Sequence, residues 1–405
     1  MTAGSLMTAG ETLRGLRKAR GWSQTELAAH AGRGASRRTI IEVEGGARAT
    51  VAFIDAVCAA LEVDPILLLA PGRIRSTPTL RKVEDAMPAI RRVLATFDSP
   101  RDLQSPPRGL PELAAAVDAA CLLRLAARYG ELAEVIVPLV EELSVVAHSA
   151  TGRARERGFW LLACAYRCVD ALVYKAGHPD VSAVSVERIG WAAERSGDPL
   201  MIATGAYVRA QGYFDLGPDA TDQGLRQINR AAEAIAAPAA SDVNAASIYG
   251  ALHARAAVLA AKGGQVRTAA THLEAARTAA ALTGRDATTY GTFFGPGQLQ
   301  IIEIATHVEM GDGDGAVEAA RGWRPGPDMP SERGSHALID LSRALTWQGR
   351  LTEAVECLVE ARRIAPQHTR MHPLVAPTLE TVRTLMPRPS TAVTTLAAWL
   401  GLPKR

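Results

Sequence analysis

The sequence predicts an all-α fold, and three observations support this fold class. Hydrophobic residues make up 48% of the 405 positions, aromatic residues make up only 5%, and alanine dominates long stretches. Alanine and leucine favour helices that pack closely through small side chains. Valine, isoleucine and threonine rarely alternate with polar residues, so little indicates a β-sheet. A chain of this length is expected to form two or more domains, or one extended repeat array.

Two further features argue against a membrane or secreted protein. No apolar run approaches the roughly 18 residues that a membrane span needs, and the N-terminal residues lack the apolar centre of a signal peptide. The five cysteines contain no Cys-x-x-Cys pair, so neither a zinc ribbon nor a redox motif is indicated. Cys164 and Cys168, four positions apart, are expected to be ordinary buried thiols.

Positive charge is concentrated at the N-terminus. Residues 1–82 hold 12 of the 45 basic and 7 of the 42 acidic residues, which leaves 33 basic and 35 acidic residues for the remainder. A modestly basic first segment suits a module that faces phosphates, although a solvated basic surface would give the same count.

Five short helical stretches are predicted within the first seventy residues. On the first helix, Leu13, Leu16 and Ala19 share one face, and Gly21 ends it. The other face is expected to carry the basic residues Arg14, Arg17, Lys18 and Arg20. Ser23 as N-cap, with Glu26 completing a capping box, predicts a second helix over Gln24–Ala31.

The other three helices are predicted from similar signals. Ser36 caps a third helix that runs to about Glu44, Thr50 caps a fourth over Val51–Leu61, and Asp64-Pro65 opens a short fifth. The apolar residues expected to form the core are Leu27, Ala28, Ile40, Val43, Phe53, Val57 and Leu61.

The pattern WSQTELAAHAG…SRRTIIEVEGG…FIDAVCAALEVDP, within about residues 10–70, resembles the XRE (Cro/cI-type) helix-turn-helix family. The resemblance implies a five-helix, lambda-repressor-like DNA-binding domain over residues 1–70. In such motifs the second of the paired helices enters the major groove and reads DNA with residues near its N-terminus. The positions implied to contact DNA are Gln24, Thr25, Ser36, Arg37, Arg38, Thr39, Glu42 and Arg48.

The chemistry of these side chains fits the implied roles. Arginine suits bidentate contact with guanine O6 and N7, so Arg37 and Arg38 are the expected base readers, although the two could merely solubilise an exposed helix. Gln24 matches the amide that anchors the phosphate backbone, and Arg48 is a second phosphate candidate. Glu42 either accepts from cytosine N4 or points away. AGRGASRR is about two residues longer than the tightest turns of the family, which predicts a tilted or shifted third helix.

The rest of the chain is predicted to be helical and repetitive. Residues 71–110 form a linker with one helix, over about Thr79–Phe97, and residues 111–405 form a train of helices. Residues 335–366, with a turn at Gly349, resemble the 34-residue tetratricopeptide repeat, and the implied fold is a superhelix. Further copies, some weaker, are expected at 250–283, 116–148 (turning at Gly130) and 297–323. Helical hairpins without a clean signature are expected at 153–177, 180–216 and 219–237.

Stacked repeats share one core and present a concave surface that usually binds peptides, protein segments or small ligands. The candidate ligand-binding residues on it are Arg124, Tyr166, Tyr207, His336 and Arg343. For each tyrosine the alternative is simple packing between helices. Asn229 and Asn244 are the only asparagines, too few for the backbone clamps typical of peptide binders, so an acidic metabolite or a protein partner competes with a peptide.

Signatures of catalysis and metal binding are weak. His368 and His372 have a metal-like spacing but no third ligand is near, and GDGDGAVEA (311–319) lacks the ligand spacing of a calcium loop, so a turn between helices is expected there. TTYGTFFGPGQ (288–298) is glycine-rich but lacks the lysine and the preceding strand of a phosphate loop. We expect no metal, no cofactor and no enzymatic activity.

The combination resembles the peptide-responsive transcription regulators of bacteria, which are homodimers. It implies a sequence-specific regulator that binds double-stranded operator DNA and senses a peptide or small-molecule effector. The alternative is a tetratricopeptide-type scaffold for protein–protein interactions in which DNA binding is secondary or absent. We expect the protein to be cytoplasmic and nucleoid-associated, with no membrane partner.

Overall fold

The computed structural model describes residues 9–47, 49–61, 77–216 and 220–402, and these residues are almost entirely helical. The chain divides into two compact units. The N-terminal unit comprises residues up to Ser76 together with Ala397–Arg405, and the helical body comprises Thr77–Leu396. Among the described helices, none combines the length and the apolar character needed to cross a bilayer.

Four of the five helices predicted in the N-terminal unit are present. They are α1 (Ala9–Ala19), α2 (Gln24–Ala31), α3 (Arg37–Glu44) and α4 (Val51–Leu61). The fifth, predicted from Asp64-Pro65, lies outside the described residues. The capping box at Ser23 is confirmed, since its Oγ accepts from the Glu26 backbone N–H at 3.2 Å and its own N–H donates to Glu26 Oε2 at 2.6 Å.

The predicted core of the N-terminal unit is largely confirmed. Leu27, Ile40, Val57 and Leu61 are completely buried, and Ala28 is partly buried against them. The extra residues before the third helix form a 3-10 turn over Gly32–Gly34.

The helical body consists of helices that pack on their neighbours in sequence and on the next helix but one. Its first helices are α5 (Pro78–Ala95), α6 (Leu110–Leu125), α7 (Tyr129–Ser149), α8 (Gly152–Lys175), α9 (Pro179–Ser196), α10 (Pro199–Arg209), α11 (Thr221–Ala234), α12 (Ala236–Ala239), α13 (Val243–Lys262) and α14 (Val266–Thr283). They are followed by α15 (Pro296–Glu309), α16 (Gly313–Ala319), α17 (Ser331–Trp347), α18 (Leu351–Ile364), α19 (Pro366–Met371) and α20 (Val375–Leu385). The last helix, α21 (Thr391–Leu400), begins in the body, and its residues from Ala397 onward are assigned to the N-terminal unit. A 3-10 segment over Ala210–Asp215 follows α10.

Several predicted repeat units correspond to helix pairs. The pairs α13–α14 and α17–α18 turn at Gly264 and Gly349, whose φ angles of 75° and 72° lie in the left-handed region. Gly311 plays the same part between α15 and α16, and Asp312 caps α16, so residues 311–319 form the expected turn between helices.

Other expectations about the body are wrong. Gly130 lies inside α7, and the turn before it is made by Ala127, whose φ is 56°. Residues 153–177 form one long helix, α8, rather than a hairpin. The helix expected in the linker, α5, belongs to the body, because Val83 and Ile90 are buried in the body's core.

A β-hairpin corrects the expectation of a purely helical chain. β1 (Ala287–Thr289) pairs antiparallel with β2 (Thr292–Phe294) across a turn at Tyr290 and Gly291. Both turn residues have positive φ, 51° and 67°, as a two-residue hairpin turn requires. Three-residue strands are too short to show an alternating pattern, so the sequence did not indicate them.

Candidate nucleic-acid interface and ligand cavity

The N-terminal edge of α3 presents the predicted base-reading residues on the surface. Ser36, Arg37 and Arg38 are exposed there, while Ile40 and Val43 on the opposite face are buried. Ser36 Oγ accepts from the Thr39 backbone N–H at 3.1 Å, which fixes the first turn of the helix. The structure therefore brings these side chains together on one exposed edge.

Arg38 forms an ion pair along its own helix. Its Nε lies 2.9 Å from Glu42 Oε1, and the two side chains are 89% and 50% exposed. Exposed ion pairs of this kind contribute at most about 1 kcal/mol to stability, so a DNA base or phosphate can compete with Glu42 for the Arg38 guanidinium. Glu42, whose role the sequence left open, thus holds Arg38 along α3 when DNA is absent.

Glu44 joins α1, α2 and α3 through a buried carboxylate. Arg17 donates to it twice, from Nε at 2.7 Å and from Nη2 at 3.0 Å, and Gln24 Nε2 donates at 2.9 Å. Burial raises the pKa of Glu44, but the hydrogen bonds from Arg17 and Gln24 and the charges of Arg17 and Arg14 outweigh it and lower the pKa below its usual value.

Two predictions are corrected by this buried cluster. Arg17, expected on the exposed face of α1, is only 8% exposed because it pairs with Glu44. The Gln24 amide, implied to anchor a phosphate, is directed to Glu44 instead, which leaves exposed Thr25 and the start of α2 to face DNA. Arg48, the other phosphate candidate, lies outside the described residues.

Four of the five predicted ligand-binding residues meet at two adjoining cavities of the helical body. A cavity of 530 Å³ is lined by Arg124, Tyr207 and His336. A second, of 320 Å³, shares Tyr207 and His336 and adds Arg343. Tyr166 lines neither cavity, since its side chain is completely buried in the hydrophobic core of the body. Its assignment as a ligand contact is therefore wrong.

The walls of these cavities are strongly charged. Among the described residues, seven arginines and lysines line the two cavities, against four carboxylates. Arg343 is held by Glu309 at 3.2 Å and Asp340 at 3.1 Å. Arg124 instead donates to a backbone carbonyl, that of Gly291, at 2.6 Å. No local pattern could indicate that contact, because the two residues are far apart along the chain.

A third histidine does lie near His368 and His372. Ring nitrogens of His336, His368 and His372 lie within 4.8 Å of one another, so the expectation that no third ligand is near was wrong. However, Lys175 Nζ lies 3.2 Å from His368 Nε2, and His372 Nδ1 accepts from the Leu374 backbone N–H at 3.3 Å. An ammonium group at that distance opposes a divalent cation, so the cluster in this form is better suited to packing than to metal binding.

The comparison with known protein families concerns the N-terminal unit alone. Residues 8–70 match the family model described as a helix-turn-helix domain. No curated protein matches the chain. The matched segment contains α2 and α3, the pair whose second helix carries the exposed arginines. Residues 8–70 are therefore a helix-turn-helix domain, which implies DNA binding.

Proposed function

We propose that this protein is a sequence-specific transcription regulator of the XRE type that binds double-stranded operator DNA as a homodimer. The observation that carries the proposal is the exposed N-terminal edge of α3, with Ser36, Arg37 and Arg38, in a segment that matches a helix-turn-helix domain. The protein acts as a cytoplasmic, nucleoid-associated regulator rather than as an enzyme.

The helix-turn-helix geometry supports a division of labour between the two paired helices. The first turn of α3 enters the major groove, where Arg37 and Arg38 make base contacts. The start of α2, with exposed Thr25, faces the phosphate backbone, where the helix dipole and free N–H groups favour negative charge. The Glu44 carboxylate of α3 accepts from Gln24 of α2 and from Arg17 of α1, which fixes the angle between α2 and α3.

The helical body is proposed to be a tetratricopeptide-like domain that senses a ligand and mediates dimerisation. Its successive helix pairs and its two adjoining cavities support this role. A ligand in the cavities can shift the DNA-binding equilibrium only if it binds the two states of the dimer with different affinities. Such a shift would move the two DNA-reading units relative to half-sites about one helical turn apart.

A gel-shift titration tests the DNA-binding proposal on fragments selected from genomic DNA by repeated rounds of binding. The Arg37→Ala/Arg38→Ala variant should lose about 1–3 kcal/mol, roughly 5- to 150-fold in affinity, for each base contact removed. The matched control is Arg350→Ala/Arg363→Ala, because these body arginines are exposed and, like Arg38, pair with a glutamate close by in the sequence.

The control variant should bind like the wild type, to within about twofold. If the protein instead binds all sequences equally and the α3 variant changes nothing, the proposal fails. The alternative function, a scaffold for protein–protein interactions, would then be the better account.

A further inference from the structure

We infer that the adjoining cavities of the helical body bind a small organic anion, with its acidic group against Arg124, Arg167 and Arg255 and its apolar part against the aromatic wall. The inference rests on the proposed ligand-sensing function and names the class of ligand. Four features of the cavities support it. Buried arginines lack an ion pair, most nearby carboxylates pair with other residues, and Tyr207 lies among positive charges. The volume and the lining of the cavities also suit such a ligand.

Two buried arginines lie in the cavity wall without a carboxylate in ion-pair contact. Arg124 and Arg167 are each 6% exposed, and among the described residues neither forms an ion pair. Arg167 Nη1 donates to the Tyr290 carbonyl at 2.7 Å and to Thr292 Oγ1 at 2.8 Å, and Arg124 bonds the Gly291 carbonyl. Arg124 Nε is buried without a hydrogen-bond partner.

Buried charges without a counter-ion are costly for a protein to keep. Burial first, and then the positive charge of Arg124, lower the pKa of Arg167 to about 10. A bound anion would supply the counter-ion that these buried arginines lack.

Three of the four carboxylates around the cavities form ion pairs with other basic residues. Glu332 lies 3.3 Å from Lys175 Nζ and 3.4 Å from Arg333 Nε. Glu309 and Asp340 hold Arg343, as described above. Burial raises the pKa of Asp170 to about 6 despite its hydrogen bond from Ser182 and the charges of Arg167 and Arg255, so it is a weaker acid than an ordinary aspartate but is still largely ionised at neutral pH. Among the described residues, Arg124, Arg167 and Arg255 therefore share the single charge of Asp170 and the distant charge of Glu332, and none of the three forms an ion pair.

Tyr207 acts as a partial counter-ion between the arginines. The guanidinium carbon of Arg255 lies 4.0 Å from the centre of its ring, and that of Arg167 lies 5.6 Å away. Burial would raise the pKa of Tyr207, but Arg255, Arg333 and Arg167 outweigh burial and lower the pKa to about 7. A phenol so close to ionisation marks a strongly positive environment.

The smaller cavity also has a cluster of apolar residues in its wall. The cavity of 320 Å³ is walled by Phe214, Phe293, Phe294 and Ile301, beside Tyr207 and Arg255. The volumes of 320 and 530 Å³ fall in the range typical of small-molecule sites. An anion with an aromatic or aliphatic body can therefore satisfy both the charged and the apolar wall.

The hairpin β1–β2 links the anion site to the rest of the body. Its turn is held by Arg124 and Arg167, and its second strand contributes Phe293 and Phe294 to the cavity wall. Arginine bonds to a carboxylate or phosphate are stronger than bonds to a neutral carbonyl. An anion that draws these guanidinium groups away therefore loosens the hairpin turn.

Calorimetry on the full chain tests the inference with a matched pair of probes, 2-naphthoate and the neutral 2-naphthamide. We expect the naphthoate to bind at least about tenfold more tightly, as for hydrogen bonds that gain a charge. Arg255→Gln should reduce the preference to about twofold, and Arg255→Lys should restore part of it. Arg277→Gln is the control, because Arg277 lies on the surface and pairs with Glu274 and Glu303.

The inference also predicts a spectroscopic signature. A bound anion brings negative charge next to Tyr207, so the naphthoate should raise the pKa of Tyr207 and the naphthamide should not. Phenolate absorbance reports this shift directly. Because this measurement is made on the folded wild-type protein, a misfolded variant cannot produce the result.

Three outcomes would overturn the inference. The first is equal binding of the two probes to the wild type. The second is a preference that survives both Arg255→Gln and Arg167→Gln. The third is tighter binding of a pentapeptide that ends in a free phenylalanine carboxylate, since that would assign the site to a peptide.

Failure of the inference is distinguishable from failure of the proposed function. Specific DNA binding without any preference for the naphthoate would remove the inference alone. A preference for the naphthoate without specific DNA binding would remove the proposed function alone.

Discussion

Glu44 shows how one buried carboxylate organises a DNA-binding unit. Its side chain is 1% exposed and accepts from residues of α1 and α2 while it belongs to α3. Substitution with alanine leaves Arg17 buried without its partner, and breaking a buried pair in this way costs about 3–5 kcal/mol. We therefore expect Glu44→Ala to unfold the N-terminal unit at lower denaturant, with loss of hydrogen-exchange protection in α1–α3.

Glu42→Ala is the control for that experiment. It removes the same charge from the same helix, but the Glu42 side chain is 50% exposed and its pair is worth at most about 1 kcal/mol. Equal effects of the two substitutions would contradict the role given to the buried cluster.

The lowered pKa of Glu44 also predicts a pH dependence. Its contribution to stability is fully present above its ordinary value of 4.5 and is lost as the pH falls through the lower value of the folded state. Acid unfolding of the N-terminal unit should therefore move to higher pH in Glu44→Gln, as followed by circular dichroism and hydrogen exchange.

Tyr207 gives a second prediction at the scale of single residues. It faces Arg167 of α8, Arg255 of α13 and Arg333 of α17, which bring its pKa from the ordinary value of 10 to about 7. One phenolate should form near neutral pH in the wild type and be absent in Tyr207→Phe. Its contribution to the free energy of unfolding is fully present above pH 10 and is lost as the pH falls through about 7.

Absorbance titration of the folded protein checks this prediction. The matched control is Tyr166→Phe, because Tyr166 is completely buried away from the cavity and burial raises its pKa. Loss of the neutral-pH phenolate in the control, or its persistence in Tyr207→Phe, would contradict the assignment.

At the scale of elements, the turn between α2 and α3 decides how the recognition helix is presented. Gly32–Gly34 form a 3-10 turn that connects α2 to the cap of α3. Gly34 packs against α4 so closely that an added Cβ would lie 2.3 Å from Ala56 Cβ. Only a glycine fits there without a shift of the turn or of α4.

Gly34→Ala should therefore destabilise the N-terminal unit by about 1–3 kcal/mol, as overpacking does, and weaken DNA binding because α3 shifts. The double variant Gly34→Ala/Ala56→Gly removes the clashing atom and should recover much of the DNA affinity. A double variant no better than the single one in gel shift would show that the close approach is not the cause.

At the scale of the whole molecule, the proposed dimer makes a geometric prediction. Two DNA-reading units contact half-sites about one turn apart, so inserting about 5 base pairs between the half-sites should turn one of them to the opposite face and lower the affinity. If the effector changes the distance or angle between the two DNA-reading units of the dimer, the naphthoate probe should change which half-site spacing binds most tightly. Gel shifts on a spacing series, with sedimentation to establish the dimer, measure both effects.

An unchanged ranking with and without the probe would contradict coupling between the cavities and DNA binding. The dimer would be contradicted if the protein sedimented as a monomer and bound operators of every spacing with the same affinity.

The amino-acid sequence alone determined the features that depend on near neighbours. It predicted the capping box at Ser23, the bounds of α2 and α4, and the exposed edge of α3, because hydrogen bonds and apolar periodicity over three or four residues set these features. It also placed Arg124, His336 and Arg343 among the ligand-binding candidates from helical phase, and Tyr207 because it lies on a central helix.

Only the tertiary structure decided which distant residues meet. Arg17 is buried because Glu44 folds against it, Arg124 faces the hairpin turn at Gly291, and His336 approaches His368 and His372 from another helix. These contacts depend on how helices stack, which leaves no periodic trace in the sequence. Burial then fixes the charge and pKa of each group, and these properties distinguish a cavity suited to anions from an ordinary charged surface.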